Sequence, residues 1–363
     1  MKRLLDERNV SALARGCAVL GAGGGGDLHL GTLMALQAIQ DNQAVRLVEP
    51  DDLPDDGLVM VCGEIGTPIV SSEKLENGTE VWRLRDYVED LWGKPVVALM
   101  SVEIGGWNGL LAVTWAARLG LPVLDADGTG RAFPEVQMST MSLAGVSPNP
   151  TVMTDERGNV AVLRTVSDKW MERLARSTAV ELGGIAAIAG YNLTVAQARE
   201  ATVLGSASLA IEIGQTIESA SGDPVDALVD KLGAFRLITG KVLDVERRTT
   251  RGFVRGSVVV EGLGDDVSRL VRLELQNENL VALERGEVLA SVPDNISVLD
   301  SATADAISTE VIRYGQRVTV IAFASAPIWR TPRGIDTAGP RAFGYDFDYV
   351  PVEEILRSRS SGR

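Results

Sequence analysis

Histidine is almost missing from this chain of 363 residues: His29 is the single one. That scarcity excludes zinc sites built on two or three histidines of one chain, and any Ser-His-Asp triad would depend on this one ring. Cysteine is nearly as rare. Cys17 and Cys62 are the only two, both in apolar stretches, which excludes a disulfide framework and fits a reducing cytoplasm. No uninterrupted apolar run is long enough to span a bilayer, and the charges at Lys2, Arg3, Asp6 and Glu7 come too early for a secretion signal. Basic runs are missing as well. A net charge of −14 and a pI near 4.7 argue against nucleic acid as a partner, because phosphate binding needs a basic stripe. Catalysis must therefore lean on carboxylates, hydroxyls, amides, arginine or a cofactor.

Glycine, by contrast, is concentrated. The run Gly21-Ala22-Gly23-Gly24-Gly25-Gly26-Asp27 holds five glycines in its first six positions. It follows the apolar stretch Cys17 to Leu20, read as a strand, and precedes a helical pattern from Leu30 to about Gln40. A strand, a glycine turn and a helix bring backbone N–H groups close to a ligand, and the helix N-terminus adds partial positive charge. Gly23, Gly24, Gly25, Gly26 and Asp27 are thus candidate ligand contacts, against the plainer reading of a tight turn. No Gly-Lys-Ser/Thr ends the run, so a Walker loop is excluded, whereas Gly21, Gly23 and Gly26 keep the G-x-G-x-x-G spacing of a dinucleotide site. Nucleotide binding stays an alternative, opposed by the charge of Asp27.

The length predicts two domains. Strand-like Val45–Val48, Leu58–Cys62, Val96–Met100 and Val123–Asp125 alternate with helix-like Glu80–Trp92 and Gly109–Leu119, the pattern of a largely parallel sheet with helices on both faces. A helical segment over 168–232 completes an α/β domain over 1–234. From Phe235 short strands separated by Gly or Asp turns predict a β-barrel-like domain over 235–350, followed by a flexible tail over 351–363.

Ligands in parallel sheets collect at the C-terminal strand ends. Glu103, Asn108, Asp125, Asp127, Arg131 and Glu135 follow such ends, beside the edge predicted for Asp27. Carboxylates crowded at one crevice bind a cation, pair with arginine, or shift a pKa upward and become acid/base candidates. Arg131 is the local partner. An all-oxygen set of Asp27, Asp125 and Asp127 would suit a divalent Mg²⁺ or Mn²⁺ better than Zn²⁺. Two further clusters, Gln276-Asn277-Glu278-Asn279 and Gly339-Pro340-Arg341-Ala342-Phe343-Gly344-Tyr345-Asp346, offer Asn277 and Arg341 as ligand contacts, or alternatively as a turn pin and a clamp.

Together with Leu20 to Asp27, Glu103 to Gly109 and Asp125 to Met138, these segments resemble the S-methyl thiohydantoin desulfurase family over nearly the whole chain. The resemblance implies a three-layer α/β domain followed by a β-barrel domain. It also implies a small hydantoin-like ring as substrate and an association with hydantoinase/oxoprolinase-type enzymes. Under that reading water replaces a methylthio group, with Asp125 or Asp127 as general base, Glu103 and Asn108 holding the ring, Arg131 tuning the carboxylates, and the amides of Gly23 to Gly26 stabilising charge. A divalent metal is a further means of activating the water. A non-catalytic subunit that positions such a partner enzyme is the alternative, and a homo-oligomer is expected.

Overall fold

The computed structural model describes residues 3–26, 28–67, 70, 74, 76–250 and 253–361. The chain divides into two compact units. The first comprises residues 1–14, 26–130 and 135–211, and the second residues 15–25, 131–134 and 212–363.

The first unit is built on a mixed sheet. Its strands in sequence are β1 (Arg3–Leu5), β2 (Val45–Val48), β3 (Leu58–Gly66), β4 (Val96–Ser101), β5 (Val123–Asp127), β6 (Thr151–Thr154), β7 (Val160–Leu163) and β8 (Ile185–Ala189). Short β9 (Leu193–Thr194) and β10 (Val203–Leu204) add to β3 and β5. The order across the sheet is β1-β2-β5-β4-β3-β8-β6-β7. The central β2, β5, β4 and β3 run parallel, and the strands outside them pair antiparallel. The edge strands are antiparallel although the helices Glu7–Leu20 and Leu28–Asp41 lie between β1 and β2 and the helix Asp168–Glu181 lies between β7 and β8. The parallel strands are near-continuous apolar runs, as strands covered on both faces are.

The helices are α1 (Glu7–Leu20), α2 (Leu28–Asp41), α3 (Glu80–Trp92), α4 (Trp107–Leu119), α5 (Thr140–Leu143), α6 (Asp168–Glu181), α7 (Val195–Ala201) and α8 (Ser206–Ser219). Val59, Val61 and Leu124 pack with Val195, Ala198 and Ala201 of α7, whereas Ile65, Met153 and Ile188 pack with Met171, Ala175 and Ala179 of α6. Helix α4 lies on β3, β4 and β5 and packs against α2.

Two sequence expectations need correction here. Cys17–Leu20 is not a strand but the last turn of α1. Val10, Leu13, Ala14 and Cys17 are buried at i, i+3, i+4 and i+7, and this helical period extends back beyond the short apolar run. The expected helical segment over 168–232 is interrupted by β8, because Gly183 and Gly184, with φ of 98° and 96°, end α6 and release five buried apolar residues to pair with β3.

The second unit is an antiparallel sheet in the order β15-β14-β13-β12-β11-β17-β16. These strands are β11 (Phe235–Thr250), β12 (Phe253–Gly262), β13 (Leu270–Gln276), β14 (Glu278–Glu284), β15 (Glu287–Ser291), β16 (Asn295–Asp300) and β17 (Arg317–Phe323). The sheet curls into a half-barrel. Val292 N donates to Leu280 O at 2.7 Å and Asn279 Nδ2 to Ile296 O at 2.9 Å, which draws the β16 end toward β14. Helices α9 (Pro224–Leu232), α10 (Pro332–Ala338) and α11 (Val352–Ser361) complete it. Helix α11 occupies most of the expected flexible tail, because Val352 and Leu356 at i and i+4 enter the barrel core.

Candidate functional site

At the C-terminal ends of β3, β4 and β5 the first unit collects its polar groups. The register aligns Cys62 of β3 with Ser101 of β4, and Ser101 with Asp127 of β5, so the residues that follow emerge together. Gly105 and Gly106 then turn the chain into α4, which starts with no side-chain cap. Gly109 N donates to Gly106 O at 3.3 Å, and the helix start lends partial positive charge to this edge. Asn108, buried in the first turn, ties the edge together. Its Oδ1 accepts from Glu64 N at 2.8 Å, and its Nδ2 donates to Glu103 Oε1 at 3.0 Å. Glu103 is half-buried.

Asp127 has a different surrounding. It is fully buried, and its oxygens accept from Ile104 N (2.8 Å), Thr129 N (3.0 Å), Thr129 Oγ1 (2.9 Å) and Gly130 N (2.8 Å). Burial pushes its carboxyl up, and the donors from Gly130 and Ile104 oppose that without cancelling it. Asp125 accepts from Ser208 N at 2.9 Å and from the Ser208 hydroxyl, so it caps the first turn of α8. The two aspartates expected to supply the base thus anchor loops with their lone pairs, and Glu103, like Glu64, is a half-buried carboxylate at this edge. The metal expectation fares similarly. Among the described residues no group of three His, Cys, Asp or Glu could hold an ion, the oxygens of Asp125 and Asp127 face N–H and O–H donors, and Asp27 lies outside the described residues. Lone pairs that already accept from N–H and O–H donors are not offered to a cation, so these residues do not fit one.

The glycine run also departs from expectation. With α1 before it, the strand–turn–helix layout of a dinucleotide site is absent. In the second unit the run is seated on β14. Asn279 N donates to Ala22 O and Thr309 N to Gly23 O, both at 2.8 Å. A Cβ on Gly23 would stand 2.6 Å from Asn279 Nδ2, and one on Gly24 would overlap the Glu278 carboxylate. Glycine is required here for close approach to protein, and Gly23 has φ of 91° besides. Gly25 (φ 92°) continues the turn, and Gly26, in the first unit, lies beside Trp107.

The remaining candidates disperse. Arg131 is fully buried in the second unit, donating to the carbonyls of Ala132, Pro293 and Asp294 at 2.7–2.9 Å and lying 4.6 Å from the Phe133 ring centre. Glu135 accepts from Gln137. Asn277, at φ 57°, pins the β13–β14 turn, its carbonyl accepting from the Thr309 hydroxyl. Exposed Arg341 pairs with Asp348 at 2.7 Å and Asp346 at 3.2 Å. His29 is exposed in the first turn of α2.

Sequence reasoning missed Glu76. Its carboxylate accepts from Trp115 Nε1 at 2.8 Å and Arg118 Nη1 at 2.9 Å, on α4. Burial pushes its pKa up to about 7, with Arg118 pulling down and Glu80 pushing up. Glu64, near it, is also raised, first by burial and then by Glu76. The folded state thus holds this proton more tightly than the unfolded chain, so stability falls as pH rises from about 4.5 to about 7. We expect the protein to be more stable at pH 5 than at pH 8 by on the order of 2–3 kcal/mol from Glu76 alone. Asp155 and Glu353 are lowered, so their share is lost only below that window. Urea unfolding of Glu76→Gln should show a flatter pH dependence, and an unchanged slope would reject the assignment.

Among the described residues no helix is long and apolar enough to cross a membrane. No curated protein matches the chain. A crystal structure of a protein from Chromobacterium violaceum is similar at a TM-score of 0.80 and 23% identity, covering 96% of this chain and 100% of that one, a likeness of fold. The models for the S-Me-THD-like N-terminal domain and the S-Me-THD-like C-terminal domain match residues 8–165 and 166–352. The chain therefore belongs to the S-Me-THD-like family, the family that its glycine run and acidic strand ends resemble.

Proposed function

We propose that this protein is a hydrolase that replaces the methylthio group of a hydantoin-like ring with oxygen. The observation that carries the reading is the Glu103–Asn108 pair beside the uncapped start of α4. Membership of the S-Me-THD-like family supports a hydantoin-like ring as the substrate class. Glu103 takes a proton from water as the water oxygen attacks the ring carbon that bears sulfur. Negative charge building on the ring is stabilised by the N–H groups opening α4, where the helix dipole favours it. The C–S bond then breaks. One proton goes to the ring nitrogen and one to the departing sulfur, leaving a ring carbonyl and methanethiol. Asn108 holds the carboxylate in position, and Asp127 fixes the Ile104 and Gly130 loops on either side.

Glu103→Gln should lower turnover of a methylthio-hydantoin by at least about a hundredfold, followed as methanethiol release, with the unfolding midpoint nearly unchanged. Wild-type rates in that variant would remove Glu103 from the mechanism. A purified wild-type chain that binds the ring without turnover would instead favour a non-catalytic subunit acting beside a hydantoinase/oxoprolinase-type enzyme.

A further inference from the structure

The first unit carries an apolar face that its own fold leaves uncovered. The inward residues of α6, Met171, Ala175 and Ala179, are buried against the sheet. Its outward face shows Trp170 47%, Leu174 41% and Val180 66% exposed, and Val166, just before the helix, is 91% exposed. Edge strand β7, which packs beside α6, adds exposed Val162. Scattered apolar residues on a surface need no explanation, but several on one helix face and its neighbouring edge mark a surface that is covered in use.

The charges on α6 specify the cover. Lys169 in the first turn and Glu181 in the last make no ion pair among the described residues. They stand about 18 Å apart along the axis at 1.5 Å per residue. Between them lie small Ser177 and Arg173, the latter over the Trp170 ring at 5.3 Å. A helix of the same sequence laid antiparallel and centred on Ala175 sets Lys169 against Glu181 and Trp170 against Val180. Each pair then forms twice. A parallel arrangement would set like charges together. The antiparallel one also opposes the two helix dipoles favourably. We propose that this face is a twofold interface between two copies of the chain, packed α6 on α6. The chain as a whole repels its copy, at a net charge of −14. Over residues 164–181, however, Arg164, Lys169, Arg173 and Arg176 outnumber Asp168, Glu172 and Glu181, which lowers the repulsion where the copies meet.

Sedimentation velocity on the full chain over roughly a hundredfold concentration range tests this, at low and at physiological salt. The wild type should dimerise. Trp170→Asp should be monomeric with an unchanged circular dichroism spectrum, since the side chain is half exposed in the single chain. Lys169→Glu should raise the dimer Kd about tenfold at low salt, and Lys169→Glu combined with Glu181→Lys should restore it. A wild type that stays monomeric throughout, a Trp170→Asp variant that dimerises normally, or a double charge reversal weaker than the single one would each overturn the proposal.

Discussion

Asp127→Ala is expected to lose about 3–5 kcal/mol of stability in urea unfolding, well beyond an ordinary surface substitution. The change removes one carboxylate but strands several donors. The N–H groups of Ile104, Thr129 and Gly130 and the Thr129 hydroxyl converge on it in a site with no exposure. Each buried donor left without an acceptor costs about 1–3 kcal/mol, and water admitted to the vacated space recovers part of the sum. Asp127→Asn should cost about 2 kcal/mol, because its amide oxygen keeps one acceptor while its NH₂ group meets N–H donors. This pair of variants also separates anchoring from chemistry. If Asp127 only anchors, activity measured well below the unfolding midpoint should fall with the displacement of Glu103 and Gly130, and its pH profile should keep the wild-type shape. A loss below about 1 kcal/mol in the alanine variant would mean that the donors find other partners.

The second large effect lies in the second unit. Asp294, fully buried, accepts from Arg330 Nε (2.9 Å) and Nη2 (2.8 Å), from the Tyr349 hydroxyl (3.0 Å), and from Ser325 N (3.2 Å) and Val352 N (3.1 Å). Arg330 in turn holds Glu353 at 2.9 Å. Removing one partner of a buried pair leaves the other charge without compensation, so Asp294→Ala should cost about 3–5 kcal/mol. Because Tyr349 and Val352 flank the entry to α11, that helix should come loose first. Limited proteolysis should cut the variant near residue 350 under conditions that leave the wild type whole. Equal resistance would show that the packing of Val352 and Leu356 in the barrel core holds α11 without the hub.

The parallel sheet was legible because its strands are short apolar runs bounded by Gly, Pro or Asp, and the longer helices carry a 3.6-residue period. The failure at Cys17–Leu20 is instructive. Four apolar residues fit either period, and only the spacing back to Val10 decides. At the site, the sequence exposed the carboxylates that follow the parallel strands, and Glu103 and Asn108 do come together. What it could not show is where hydrogen-bond donors arrive from. Ser208 reaches Asp125 across 83 positions of sequence, and Trp115 and Arg118 reach Glu76 across about 40. The glycine run likewise met partners in β14 and at Thr309, more than 250 residues on, so no local pattern could distinguish a ligand cradle from a seat for protein.

That seat bears on how the chain can be divided. Residues 15–25 and 131–134 belong to the second unit although most of their neighbours in sequence belong to the first. A gene split after residue 165, where the two family models meet, would yield a C-terminal fragment without Ala22, Gly23 or Arg131. The barrel half would then have to recover those pieces by complementation from the other fragment, and any shuffling of the halves between relatives must carry the glycine loop and its β14 recipient as a matched set.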